Sequence, residues 1–141
     1  MRHTQDGFTL VEVMVAIAIV TTVLVALLCA LGAAAALTEN ARELTQAMED
    51  GRTVLERIRG DVQASADITT FAANYPEATY EDWVAAQQAA ETGFASLDSE
   101  AVSVEYGAAG DDPLGTAVTV AWQARGGRAR SVTLQTQMTR R

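Results

Sequence analysis

Residues 7–13 read Gly7-Phe8-Thr9-Leu10-Val11-Glu12-Val13, and Met14 to Leu37 continue as MVAIAIVTTVLVALLCALGAAAAL. Between Phe8 and Leu37 the only formal charge is Glu12. The uninterrupted run from Val13 to Leu37 is 25 residues long. A secretory signal core is shorter, roughly 7–15 residues, and ends in a small-residue cleavage site. As a helix this run extends about 38 Å, enough to cross a hydrocarbon core of about 30 Å. The stretch therefore spans a membrane, and the simplest reading is a plain signal anchor.

Glu12 argues for more than an anchor. A carboxylate in a spanning helix costs about 2.5–3.5 kcal/mol at the membrane centre and less toward an interface. A plain anchor has no use for that cost, whereas a helix that later meets a buried positive partner does.

With those residues in view, Gly7 to Val13 resembles the prepilin cleavage and methylation motif of type IV pilins and type II secretion pseudopilins. The resemblance implies that prepilin peptidase cuts between Gly7 and Phe8 on the cytoplasmic side and that Phe8 is then N-methylated. It also implies that Glu12, five residues into the mature chain, directs assembly. Cleavage creates an α-amino cation on Phe8, and the Glu12 of a neighbouring subunit can neutralise it in a low-dielectric filament core. Such a pair specifies register more than it adds stability, because desolvation offsets much of the attraction. The leader's positive-inside signal is weak, since Asp6 accompanies Arg2 and His3. No proline lies between Phe8 and Asn74. Many major pilins carry one in this helix, so its absence points to a minor pilin or minor pseudopilin.

Beyond Leu37, Ala41, Leu44, Met48, Gly51, Leu55, Ile58 and Val62 recur at spacings of three and four, an apolar stripe on one helical face. Glu39 and Arg42, Glu49 and Arg52, and Glu56 and Arg59 are spaced for pairing on the opposite face. About three heptads with Gly51 in the seam make a poor coiled coil, so the stripe is expected to pack on the chain's own sheet. Thr79-Tyr80-Glu81-Asp82 reads as a capping-box variant that opens a short helix from Tyr80 to about Glu91. Tyr80, Trp83 and Val84 would form its buried face. Alternation at Val102, Val104 and Tyr106, at Val118, Val120 and Trp122, and at Val132, Leu134 and Met138 predicts three strands. Gly107–Gly115 connects the first two, and Gly126-Gly127 makes a tight hairpin between Arg125 and Arg128.

The expected fold is α+β and pilin-like: a long N-terminal helix, half transmembrane and half amphipathic, packed on a three-stranded antiparallel sheet. The expected divisions are a leader at 1–7, a transmembrane or filament-core helix at 8–37, and its amphipathic continuation at 38–66. A connecting region with a short helix follows at 67–100, and the sheet at 101–141.

Composition narrows the chemistry. Of the 18 acids and 10 arginines, all but Asp6, Glu12 and Arg2 lie beyond Leu37, so the C-terminal part is acidic and no nucleic acid is favoured as a partner. Arg125, Arg128 and Arg130 at the hairpin are the feature that a DNA-uptake pilin would use, but three charges neutralise few phosphates, and solvation or subunit contacts explain them better. The single Cys29 cannot pair within the chain, and no Cys/His set suggests zinc. His3, the only histidine, lies in the expected leader, which leaves no Ser-His or Cys-His arrangement in the mature chain. Asp111 and Asp112 are a poor start for calcium, which takes six to eight oxygens. No catalytic residue, cofactor or metal is therefore expected.

The resemblance implies a non-enzymatic structural subunit, a minor pilin or a minor pseudopilin of a type II secretion system. Its partners would be other pilin or pseudopilin subunits, prepilin peptidase, the inner-membrane assembly platform and, before assembly, membrane lipid. It would sit as a single-pass inner-membrane protein with its C-terminal domain outside the cytoplasm, then in a periplasmic or extracellular filament. The rival readings are a DNA-uptake minor pilin and a monomeric membrane-anchored periplasmic domain.

Overall fold

A computed structural model of the chain describes residues 9–90, 93–94, 97–108, 110–124 and 126–139. It divides into two compact units, Met1–Glu39 and Asn40–Arg141. The elements in order are α1 (Leu10–Ala64), α2 (Phe71–Asn74), α3 (Glu77–Ala89), β1 (Ala101–Tyr106), β2 (Leu114–Ala124) and β3 (Arg128–Met138). The fold is the α+β arrangement expected, with a long N-terminal helix and a three-stranded antiparallel sheet.

In the second unit the sheet has the order β1-β2-β3 with both pairings antiparallel. Register aligns Val102, Val120 and Val132 across the three strands, and Val104, Val118 and Leu134 in the next row. These are the apolar sets read from the alternation, and they share one face because side chains on a strand alternate with a period of two. Val104, Leu114, Val118, Val120, Trp122 and Met138 are buried.

The C-terminal half of α1 packs on that face. Gly51 permits the approach: a Cβ there would stand 2.8 Å from Leu134 Cδ1 and 3.5 Å from Val120 Cγ2. Leu55, Ile58 and Val62 of the expected stripe are buried, but Ala41 and Leu44 are exposed. At that end the inward line is instead Glu43, Ala47, Asp50 and Val54. The reason is polar: Trp122 is buried in the sheet face, and its indole Nε1 donates to Glu43 Oε2 at 3.2 Å. Burying an indole N–H without a partner is costly, so this bond favours turning the helix by about one residue there. On α1 Arg57 pairs with Asp61 at 3.4 Å, a pairing the spacing did not single out.

The short helix begins earlier than expected. Pro76, extended at φ −61 and ψ 154, is its N-cap, and α3 starts at Glu77. Thr79 lies inside the first turn, its N–H bonding to Pro76 O at 2.9 Å, so the Thr79–Asp82 capping box does not form. Glu91, the expected end, lies outside the described residues. The acids of this helix act elsewhere: Glu81 Oε1 accepts from Val104 N at 3.2 Å and Glu77 Oε1 from Tyr106 N at 3.0 Å. Two carboxylates one turn apart thus occupy N–H groups on the outer side of β1, which would otherwise be an open sheet edge. Tyr80 and Val84 are buried and Trp83 is partly so, as expected of the inner face. Tyr80 OH donates to Asp61 Oδ2 at 3.1 Å, which ties α3 to α1.

The sequence reading missed α2. Thr69 donates to Asp67 through both its N–H and its hydroxyl, at 2.9 and 2.8 Å, which turns the chain into the short helix. Phe71, fully buried, then stacks on Tyr75 at 5.0 Å and meets Tyr106 edge-on at 6.0 Å. At the hairpin, Ala124 pairs with Arg128, and Gly126 and Gly127 have φ 106 and 75. Those positive values need glycine. The closing pair is thus one residue wider than the tight turn expected.

Candidate functional site

The N-terminal end of α1 is organised by Thr9. Its hydroxyl accepts from Glu12 N at 3.3 Å and its carbonyl from Val13 N at 3.2 Å, the bonds of an N-cap. Thr9-Leu10-Val11-Glu12 is the S/T-x-x-E pattern of a capping box. The sequence reading passed over this role, although the pattern was visible there. Glu12 is exposed in the first turn, where a negative side chain is favoured by the helix dipole. Its position is therefore compatible with the helix as well as with a docking role. Gly7 and Phe8 lie outside the described residues.

Every residue from Thr9 to Thr38 is exposed. Leu10 is 77% exposed, Leu28 64% and Leu37 69%, with Ile17, Ile19 and the valines between them similarly open. The threonines within the stretch bond back to their own helix: Thr21 Oγ1 to Ile17 O at 2.9 Å and Thr22 Oγ1 to Ala18 O at 2.8 Å. Their hydroxyls need no outside partner, which suits a segment in lipid or in an apolar assembly core. The helix is long and apolar enough to cross a membrane. Cys29 is exposed on it as a free thiol.

Other candidates carry less. Arg128 is exposed and Arg130 partly buried beside Trp122 in register, while Arg125 lies outside the described residues. Asp111 and Asp112 are exposed, and Asp112 Oδ1 accepts from Thr139 Oγ1 at 2.8 Å. Among the described residues no group of three or more His, Cys, Asp or Glu is placed to hold a metal.

Comparison with known proteins agrees with the helix. The family profile of the prokaryotic N-terminal methylation motif matches residues 2–28. Comparison with curated proteins and with solved structures gives no match. The matched stretch holds Gly7, Phe8, Thr9 and Glu12, and an apolar helix and a three-stranded antiparallel sheet follow. The chain carries the prokaryotic N-terminal methylation motif, and motif and fold together support its place in the type IV pilin and pseudopilin family.

Proposed function

We propose that the chain is a structural subunit of a type IV filament or type II secretion system, cut between Gly7 and Phe8, methylated on Phe8 and assembled through α1. The observation that carries this reading is one carboxylate, Glu12, at the head of an apolar helix whose residues 9–38 are all exposed among the described residues. An exposed apolar surface of that size marks an interaction surface or a lipid contact. In lipid alone Glu12 is a cost; against the new Phe8 amine of a neighbouring subunit it becomes a register-setting partner.

Residues 1–7 act as the leader and 8–37 as the membrane span and later the filament core. Residues 38–66 join this helix to the head formed by 67–100 and 101–141. The protein sits in the inner membrane with its head outside the cytoplasm, and it works with other subunits, prepilin peptidase and the assembly platform. A minor role is favoured by the absence of proline between Phe8 and Asn74, and a secretion pseudopilin is preferred marginally to a pilus component. Intact-mass measurement on protein from its own host membranes tests the reading. Loss of Met1–Gly7 together with one methyl group on Phe8 is expected; a chain that still begins at Met1 would sink it.

A further inference from the structure

The two edges of the sheet are treated differently. The outer side of β1 is occupied by Glu81 and Glu77, which accept from Val104 N and Tyr106 N. β3 is the opposite edge, and among the described residues it pairs with β2 alone. Every second residue of an antiparallel strand points its N–H and C=O away from the neighbour it pairs with. Over its 11 residues β3 thus presents a row of donors and acceptors on its outer side. The row is unbroken: its register with β2 runs one-to-one from Arg128 to Met138 without a bulge, and Ser131–Met138 holds no proline and no charge. Bulges, prolines and charges are the devices that guard an edge, and an unguarded one recruits another strand.

The inner face beside this edge is half finished. Val104 and Val118 are buried, whereas Leu134 in the same row is only partly so. Val132, next to it on that face, is likewise half-covered. At the Met138 end a hollow of about 280 Å³ lies between α1 and β3, with Arg59, Val62 and Gln63 on one wall and Gln137, Met138 and Thr139 on the other.

Charge says what fits there. None of the 18 acids lies beyond Asp112, while half of the 10 arginines do: Arg125, Arg128, Arg130, Arg140 and Arg141. Arg128 and Arg130 share the inner-face alternation with Val132 and Leu134 at the hairpin end. Arg59 adds a cation from α1 at the other end. A second copy of the chain is a poor occupant. Its β1 edge is taken by Glu77 and Glu81, and pairing β3 with another β3 sets like charge against like.

We propose that the outer edge of β3 is a docking site for one extended strand of a different protein, which sets apolar residues against Val132 and Leu134 and acids beside Arg128, Arg130 and Arg59. Backbone bonds to β3 supply the affinity, and the alternate side chains supply the specificity. The incoming strand extends the sheet and covers the half-open valine and leucine. Because Glu77 and Glu81 close the β1 edge, the sheet grows on the β3 side only. The site lies wholly within Asn40–Arg141 and is separate from the docking role of Glu12.

The test uses the full chain in detergent micelles at low salt, where charge pairing is least screened. The probe is a fluorescent peptide of about nine residues, Glu-Thr-Glu-Thr-Val-Thr-Val-Thr-Glu, long enough for one strand. Binding read by fluorescence anisotropy is expected, weakened about tenfold or more when glutamine replaces each glutamate of the probe. Arg128→Gln combined with Arg130→Gln should weaken the acidic probe and leave the glutamine probe unchanged. Amide hydrogen exchange should show new protection at alternate residues of Ser131–Met138 in the bound chain. No binding, equally tight binding of the glutamine probe, or binding that leaves those amides unprotected would each overturn the proposal. So would protection that arises on concentrating the chain alone, which gives the edge to a second copy.

Discussion

The two halves of α1 are one continuous helix with opposite fates. From Thr9 to Thr38 every residue is exposed and the side chains are almost all apolar. From Asn40 to Ala64 the helix is far more polar, yet Ala47, Val54, Leu55, Ile58 and Val62 are buried. Hydrophobicity alone thus does not say what is inside a chain. The second half has a periodic stripe that the chain's own sheet can cover; the first is apolar all round and finds no cover among the described residues. A helix of the first kind needs a membrane or other molecules, whereas one of the second kind completes a domain.

Substitutions on the two halves break or sharpen that contrast. The largest effect is expected from Glu12→Val, which should remove the subunit from filaments by more than about tenfold while its head stays folded. Immunogold labelling of filaments with circular dichroism of the same protein reads both. Normal incorporation would leave Glu12 without a role in assembly. Ile58→Ala does the reverse: it should cost about 2–5 kcal/mol of head stability in thermal melts, because Ile58 is fully buried against the sheet, and leave membrane insertion intact. Tyr80→Phe removes the bond to Asp61 and should cost about 1–2 kcal/mol in the same melts. Leu44→Ser is the smallest and the most discriminating. Leu44 lies on the stripe as read from sequence but is 43% exposed, so its effect should stay within about 0.5 kcal/mol. A loss like that of Ile58→Ala would mean that the inward face runs through Leu44 after all.

The strands were legible because each shows alternation with a period of two, and the pairing rows join the very residues that alternate. The start of α3 was not. Thr79-x-x-Asp82 imitates a capping box, but Pro76 already supplies an extended residue ahead of a helical turn. Glu77 and Glu81 stand in the first turns of α3, where the helix dipole favours acids. Both in fact serve β1, more than twenty residues further along the chain, and no local pattern encodes a partner at that distance. At the N-terminal site the reverse holds. Thr9 as the cap and Glu12 three residues later form a contact wholly local to the sequence, readable without any tertiary information.

By itself the sequence determined the apolar helix with its single acid, the three strands and their inward faces, and the acidity of the C-terminal part. Each depends on neighbours along the chain: periodicity, hydropathy and turn residues. Only the tertiary structure decided where the inward face of α1 turns from Leu44 toward Glu43 and Ala47, how α3 closes the edge of β1, and that Tyr80 reaches Asp61. Those depend on burying polar atoms far apart in sequence. A buried indole, N–H or carboxyl must find its partner wherever the folded backbone places one.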